Sequence, residues 1–353
     1  MPSDRELYEA HRANGWDYRT LAGVYDLSAD SVRGRIGRER RRIQQTIIPL
    51  PVPAMYDASA RDDTDWQHWR ATVDKLLRLK RMARVMVWAD MHMPDHDPQA
   101  MELAYRIHAD FQPDVNVYAG DVFDFDTVSG HFARQYNRRR VDAFGEVRPL
   151  WQAHTQRVAR DNPGGVQIAI GGNHDRGRVE TFINTNAAIF GDTLTAAYND
   201  LIRAGGRVLW PGWVDELRIG PELIEHGERT GKNAARASLE DRGWAQSKTQ
   251  GHTHQPGEYF NVPHVTATDN VSPFRYIVHS IVAPCLCKRD AHYRGHKQDG
   301  RWINGVVLAH VNMHGLDVHK HKVLFHPRKD GTLAGAWGLN EYVVRALVRE
   351  ISA

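Results

Sequence analysis

Five short polar clusters, strung along the chain in a fixed order, constrain this sequence more than any other feature. They are Asp90-Met91-His92, Gly120-Asp121-Val122-Phe123-Asp124, Gly172-Asn173-His174-Asp175, His226-Gly227 and Gly251-His252-Thr253-His254. Short, largely apolar runs at 84–89, 115–119, 166–170 and 223–225 lead into the first four. An α/β enzyme presents its functional side chains in this way, at the carboxyl ends of buried strands. The clusters pool carboxylates, imidazoles and an amide, the mixed donor set that a pair of hard cations requires, with a carboxylate able to bridge them. Taken singly, each cluster reads more simply as a turn or a satisfied histidine. Five in succession, set at strand ends, favour one metal centre.

In this order the clusters resemble the calcineurin-like metallophosphoesterase family, whose pattern DxH, GDxxD, GNH(D/E), H and GHxH is filled at every position. The resemblance implies two packed mixed β-sheets flanked by helices, an αββα sandwich. It further implies two divalent ions, manganese first, with iron or zinc also suited to nitrogen and oxygen donors. One ion would be held by Asp90, His92 and His254, the other by Asn173, His226 and His252, with Asp121 between them. The implied reaction is attack on phosphorus by a hydroxide shared between the ions. His174 would face the leaving oxygen, and Asp124 would fix its tautomer. Arg176, two residues further on, is a candidate phosphate contact, and equally a solvated surface charge.

Length and composition fit this reading. A chain of 353 residues accommodates one large catalytic domain and a small appendage. With 41% hydrophobic and 25% charged residues it has ordinary globular composition, and a net charge of +3 does not by itself announce a nucleic-acid binder. Neither a signal peptide nor an apolar run of about 18 residues is evident, so the expectation is a soluble, cytoplasmic protein with no membrane partner. Cys285 and Cys287 are read as facing opposite sides of a strand, unbonded, one packing as a small apolar side chain.

The first 45 residues tell a second story. Helices are predicted over 4–14, from Asp17 to about Tyr25, and from the N-cap Ser28 to about Ile43. Leu7, Ala10, Leu21, Ala22, Val24, Leu27, Val32 and Ile36 would form the centre of this unit. It resembles a helix-turn-helix domain, with the third helix in the recognition position. Arg33, Arg35, Arg38, Arg40, Arg41 and Arg42 stand against one glutamate over residues 33–42. That density suits phosphate and guanine contacts to DNA. A basic helix end used in protein assembly is the alternative.

The domain plan is therefore 1–45, a Pro/Asp-rich linker over 46–65, and a catalytic domain over 66–353. An amphipathic helix is expected over 66–82, strands over 276–287 and 305–311, and a closing helix over 340–351. An excursion over 125–163 carries Arg134, Arg138, Arg139, Arg140, Arg148, Arg157 and Arg160 among Phe132, Tyr136, Phe144 and Trp151. It reads as a surface for unpaired bases and phosphates, or as a helical pair with Phe144 and Trp151 in the core. The stretch 282–287, with Tyr293 and Trp302, looks like metallophosphoesterases of phage and prophage genomes. The leading expectation is a metal-dependent phosphodiesterase acting on nucleic acid, a DNA nuclease. A phosphomonoesterase acting on a nucleotide, a nucleic-acid end or a phosphoprotein stays open, as does a DNA-binding regulator with a vestigial phosphoesterase fold.

Overall fold

Alternation along the first strand shows how the chain divides its apolar side chains between two layers. In β1 (Met82–Trp88), Met86 and Trp88 join one buried cluster, whereas Val85 and Val87 join another. Successive strand residues point to opposite faces, so this strand is covered on both sides. The structure, a computed structural model, describes residues 2–4, 6–7, 10, 18–36, 82–125, 143–206, 208–210, 216–228, 233–240, 247–261, 278–288, 302–313, 318–330, 332–337 and 340–344. The chain forms two compact units, Met1–Ala60 with Glu240–Trp244, and Arg61–Leu239 with Ala245–Ala353.

In the larger unit, β1, β2 (Val115–Ala119), β3 (Val166–Ile170) and β4 (Val208–Leu209) run parallel. The antiparallel β10 (Gly305–Asn312) and β11 (Val318–Leu324) extend this sheet in the order β11-β10-β1-β2-β3-β4. A second mixed sheet has the order β5-β6-β7-β9-β8, from β5 (Glu216–Ile219), β6 (Glu222–Glu225), β7 (Ser247–Gln250), β8 (Gly257–Asn261) and β9 (Val278–Val282). Between the sheets, Val85, Val87, Val117, Ile168 and Val307 cluster with Ile219, Ile224 and Ile281. On the other face of the first sheet, Trp88 and Tyr118 pack with Leu103, Ile107, Trp151 and Val158 of the helices Pro98–Phe111 and Ala143–Asp161. The fold is thus α/β, with two packed mixed sheets and helices. Among the described residues, no helix is long and apolar enough to cross a membrane.

Phe144 and Trp151 behave as the core alternative expected. Trp151 is fully buried, and Phe144 packs against Phe125 and Tyr198. On the same helix Arg157 pairs with Glu102 at 2.7 Å and lies over the Tyr105 ring. Arg134, Arg138, Arg139, Arg140, Phe132, Tyr136 and Tyr293 lie outside the described residues, as do the linker and 66–81 of the expected amphipathic helix. Met82, its expected last residue, opens β1 instead. The expected closing helix over 340–351 is corrected in its first five residues, since Asn340–Val344 is a strand paired antiparallel with Leu333–Trp337, and 345–351 lie outside the described residues. Tyr342, Val343 and Val344 suit a pleated surface, and an available edge overrides the helical reading.

The smaller unit has its own centre, in which Leu7, Leu21, Ala22, Val32 and Ile36 are buried, with Ala10 and Leu27 packed against them. Ser3 and Glu6 cap each other reciprocally, and the Ser28 hydroxyl accepts the Ser31 amide at 3.1 Å to begin the helix over 29–36. Val24, expected inside, is 56% exposed. The buried stripe of the helix Tyr18–Tyr25 runs through Tyr18, Leu21, Ala22 and Tyr25, and Val24 falls to one side of it.

Candidate metal centre

All five polar clusters follow parallel strands, β1, β2 and β3 of the first sheet and β6 and β7 of the second. The chain turns abruptly there. Asp90, His92, Asp121, His252 and His254 all adopt positive φ, between 50° and 75°. Such backbone costs about 1–3 kcal/mol per non-glycine residue and persists where surrounding structure enforces it, often at functional sites. Two glycines make the approach possible. A Cβ on Gly120 (φ +81°) would stand 2.6 Å from His226 Nδ1, and one on Gly251 would stand 2.8 Å from Asp90 Oδ2.

Asp121 sits at the middle. Its Oδ2 is 3.2 Å from His226 Nε2 and 3.7 Å from His92 Nε2, and its Oδ1 accepts the His174 amide at 2.8 Å. On one side, His254 Nε2 lies 3.1 Å from both Asp90 Oδ1 and His92 Nε2. On the other, His226 Nε2 lies 2.8 Å from Asn173 Oδ1 and 3.2 Å from His252 Nδ1. Asp90, His92, Asp121, Asn173, His226, His252 and His254, the seven residues expected as ligands, are therefore brought together.

Two triads, Asp90-His92-Asp121 and Asp121-His226-His252, offer ligand atoms within 4.8 Å of one another. Their nitrogen lone pairs and carboxylate oxygens converge on shared space, a donor set that fits hard or borderline cations. These buried groups could hold a metal ion.

The electrostatics point the same way. Burial opposes ionisation of Asp121, yet the charges of His226, His174 and His92 hold its carboxyl well below the usual range. Burial likewise works against His92, but the Asp124 hydrogen bond and the Asp121, Asp124 and Asp90 charges push it up to about 9. His226, facing the Asp121 and Asp90 charges, is pushed up to about 10 against burial. Buried carboxylates require compensating positive charge, which a cation would supply in place of these imidazoliums.

Asp124 serves two rings, since its Oδ1 lies 2.8 Å from His92 Nδ1 and 2.7 Å from His174 Nδ1. The orienting role expected toward His174 thus extends to His92. Asp175 ties two clusters together by accepting the Gly172 amide at 2.6 Å and the Val122 amide at 2.8 Å. Burial and the neighbouring Asp121 charge push its carboxyl up to about 7.

Arg176, the candidate phosphate contact, pairs through Nε with Glu180 at 2.9 Å. Arg178 stands beside His174, with Nη2 3.0 Å from His174 Nε2 and Nη1 donating to the Asp124 carbonyl at 2.7 Å. The four-residue spacing along the π-helical segment Asn173–Arg178 brings the two side chains together, a signal the sequence carried. The cysteine reading is corrected in part. Residues two apart share a face of an extended segment. Cys285 and Cys287 are indeed unbonded, but they lie in one buried cluster with Trp302. Cys287 Sγ is 3.6 Å from His254 Nδ1.

Of the arginines expected at DNA, Arg33 is exposed over the Tyr18 ring, while Arg35 pairs with Asp4 at 2.6 Å and donates to the Pro2 carbonyl. Arg38, Arg40, Arg41 and Arg42 lie outside the described residues. The chain matches no protein-family model and no curated protein.

Proposed function

We propose that this chain is a two-metal phosphodiesterase of the calcineurin-like type, with an αββα sandwich as its catalytic domain and nucleic acid as its substrate. The observation that carries the reading is the position of Asp121, one buried carboxylate within reach of imidazoles on both sides. Asp90, His92 and His254 would hold one divalent ion, and Asn173, His226 and His252 the other, with Asp121 shared. Manganese is the first candidate for both. When bound, such a pair lowers the pKa of a water and neutralises charge on the phosphoryl oxygens.

The remaining residues supply the leaving-group side. Asp124 accepts the Nδ1 proton of His174 and so leaves Nε2 as the atom that exchanges a proton with the leaving oxygen. The ring is further held through its own backbone amide, which donates to Asp121. Arg178, fixed by the Asp124 carbonyl beside that Nε2, offers a guanidinium to a phosphate oxygen. Asp175 keeps the two loops in register.

Nucleic acid is supported by the amino-terminal unit, whose capped helices and basic third segment fit a helix-turn-helix domain. The test is manganese-dependent hydrolysis of bis-p-nitrophenyl phosphate and p-nitrophenyl phosphate beside labelled single- and double-stranded DNA, with His252→Ala as control. Diester and DNA cleavage lost in the control is the expected result. Monoester turnover with intact DNA would replace this reading with a phosphatase.

A further inference from the structure

Three inward-facing imidazoles of the centre, His92, His226 and His254, are each backed at the outer nitrogen by a different kind of group. His92 Nδ1 meets the Asp124 carboxylate at 2.8 Å, and His226 Nδ1 meets the Ala119 carbonyl at 3.0 Å. His254 Nδ1 meets a thiol, Cys287 Sγ, at 3.6 Å. Metal-binding histidines ordinarily give that nitrogen to a carboxylate, a carbonyl or water, which fixes the tautomer and raises the basicity of the ring. A thiol is a weaker partner in either direction, as donor or acceptor.

The thiol is built into place. Cys287 is 1% exposed, its segment bridges His96, and its carbonyl accepts the Asn304 amide at 2.7 Å. The next residue back, Leu286, donates its amide to the Asp90 carbonyl at 3.2 Å, so Sγ is referenced to the same loop that carries the carboxylate. The Trp302 ring, in the same buried cluster as Cys287, stands edge-on to His254 at 4.1 Å between centroids. His254 is thereby held with Nε2 toward Asp90 and His92 and Nδ1 toward sulfur.

We infer that Cys287 is a positioning residue for His254, and that it sets the affinity of the ion held by Asp90, His92 and His254. The inference rests on the metal-centre reading above but not on hydrolysis. Cys287 offers its sulfur within 4.8 Å of donor nitrogens of both His92 and His254. Its contact is with His254 Nδ1, while Nε2 faces Asp90. The role inferred is therefore through the imidazole, and the cobalt spectrum distinguishes it from direct ligation.

The experiment is a manganese titration of the full chain and its Cys287→Ala, Cys287→Ser and Cys285→Ala variants, with folding checked by circular dichroism. Cys287→Ala should weaken one of the two equivalents about tenfold to a hundredfold, the usual effect of losing an outer partner. Cys287→Ser, which keeps a hydrogen-bonding group, should recover most of that loss, and Cys285→Ala should match the parent. Cobalt substituted into the parent should show no sulfur-to-cobalt charge-transfer band.

Undiminished binding in Cys287→Ala, equal weakening in Cys285→Ala, a serine variant as weak as alanine, or a charge-transfer band would each overturn the inference. Two ions bound without hydrolysis would remove the phosphodiesterase reading and leave the role of Cys287 intact. A parent chain that binds no ion would overturn both.

Discussion

The two sheets contribute unlike halves to one centre. The first supplies the carboxylates Asp90, Asp121 and Asp124, together with His92, Asn173 and His174, from strands whose buried faces are mostly apolar. The second supplies imidazoles, His226, His252 and His254, and its β7, Ser247–Gln250, is buried at every position without one aliphatic residue. What makes such a strand stable is partnership. Lys248 pairs with Glu225 at 2.5 Å, Thr249 donates to Glu222 at 2.7 Å, and Lys320 reaches Glu222 at 3.1 Å and the Lys248 and His279 carbonyls at 2.7 and 2.6 Å. Burial at Ser247, Lys248 and Thr249 thus follows from partnered polar groups rather than from apolar side chains.

The largest break in this comparison comes where the halves meet. Asp121→Ala should abolish turnover and the binding of both ions, whereas His252→Ala should release only the ion on its own side; metal content after gel filtration distinguishes them. Equal loss in both variants would deny Asp121 its shared position.

Next in size is the polar strand's support. Lys320→Met leaves Glu222 buried without its cation and should cost about 3–5 kcal/mol in urea unfolding. The apolar counterpart is gentler, since Ile170→Val in β3 should cost about 0.5–1.5 kcal/mol. A reversed order would mean that the network contributes little.

Between these lies a pH effect on the helix side of the first sheet. Burial pushes His154 down to about 3 and His108 down to about 4. The unfolded chain takes up these protons near pH 6.5, and the folded chain does so only below about 4. Their stabilising contribution is therefore complete above pH 6.5 and is lost as pH falls from there toward about 3–4. The slope is at most about 1.4 kcal/mol per pH unit for each histidine. His154→Asn should flatten it, as urea midpoints measured across that range would reveal.

The same contrast explains what could be read in advance. β2 and β3 were legible to the residue because Val-Asn-Val-Tyr-Ala and Val-Gln-Ile-Ala-Ile are β-prone runs ending at a turn signal. The convergence of the seven expected ligands was legible for a related reason, as each sits just beyond a strand. Strand β7 carried no such pattern, because its partners Glu222, His279 and Lys320 lie far away in sequence. Arg178 was overlooked, because only the helical turn after His174 brings its guanidinium back to that ring. Cys287 was hidden for a deeper reason, since nothing local shows that its thiol meets a histidine 33 residues earlier.

The central claim is that these convergent groups form one two-ion centre. The most direct test is electron paramagnetic resonance of the manganese-loaded chain, with the bound metal counted. Two spin-coupled manganese ions per chain, absent from Asp121→Ala, are predicted. An uncoupled signal, or one that Asp121→Ala leaves unchanged, would contradict the account.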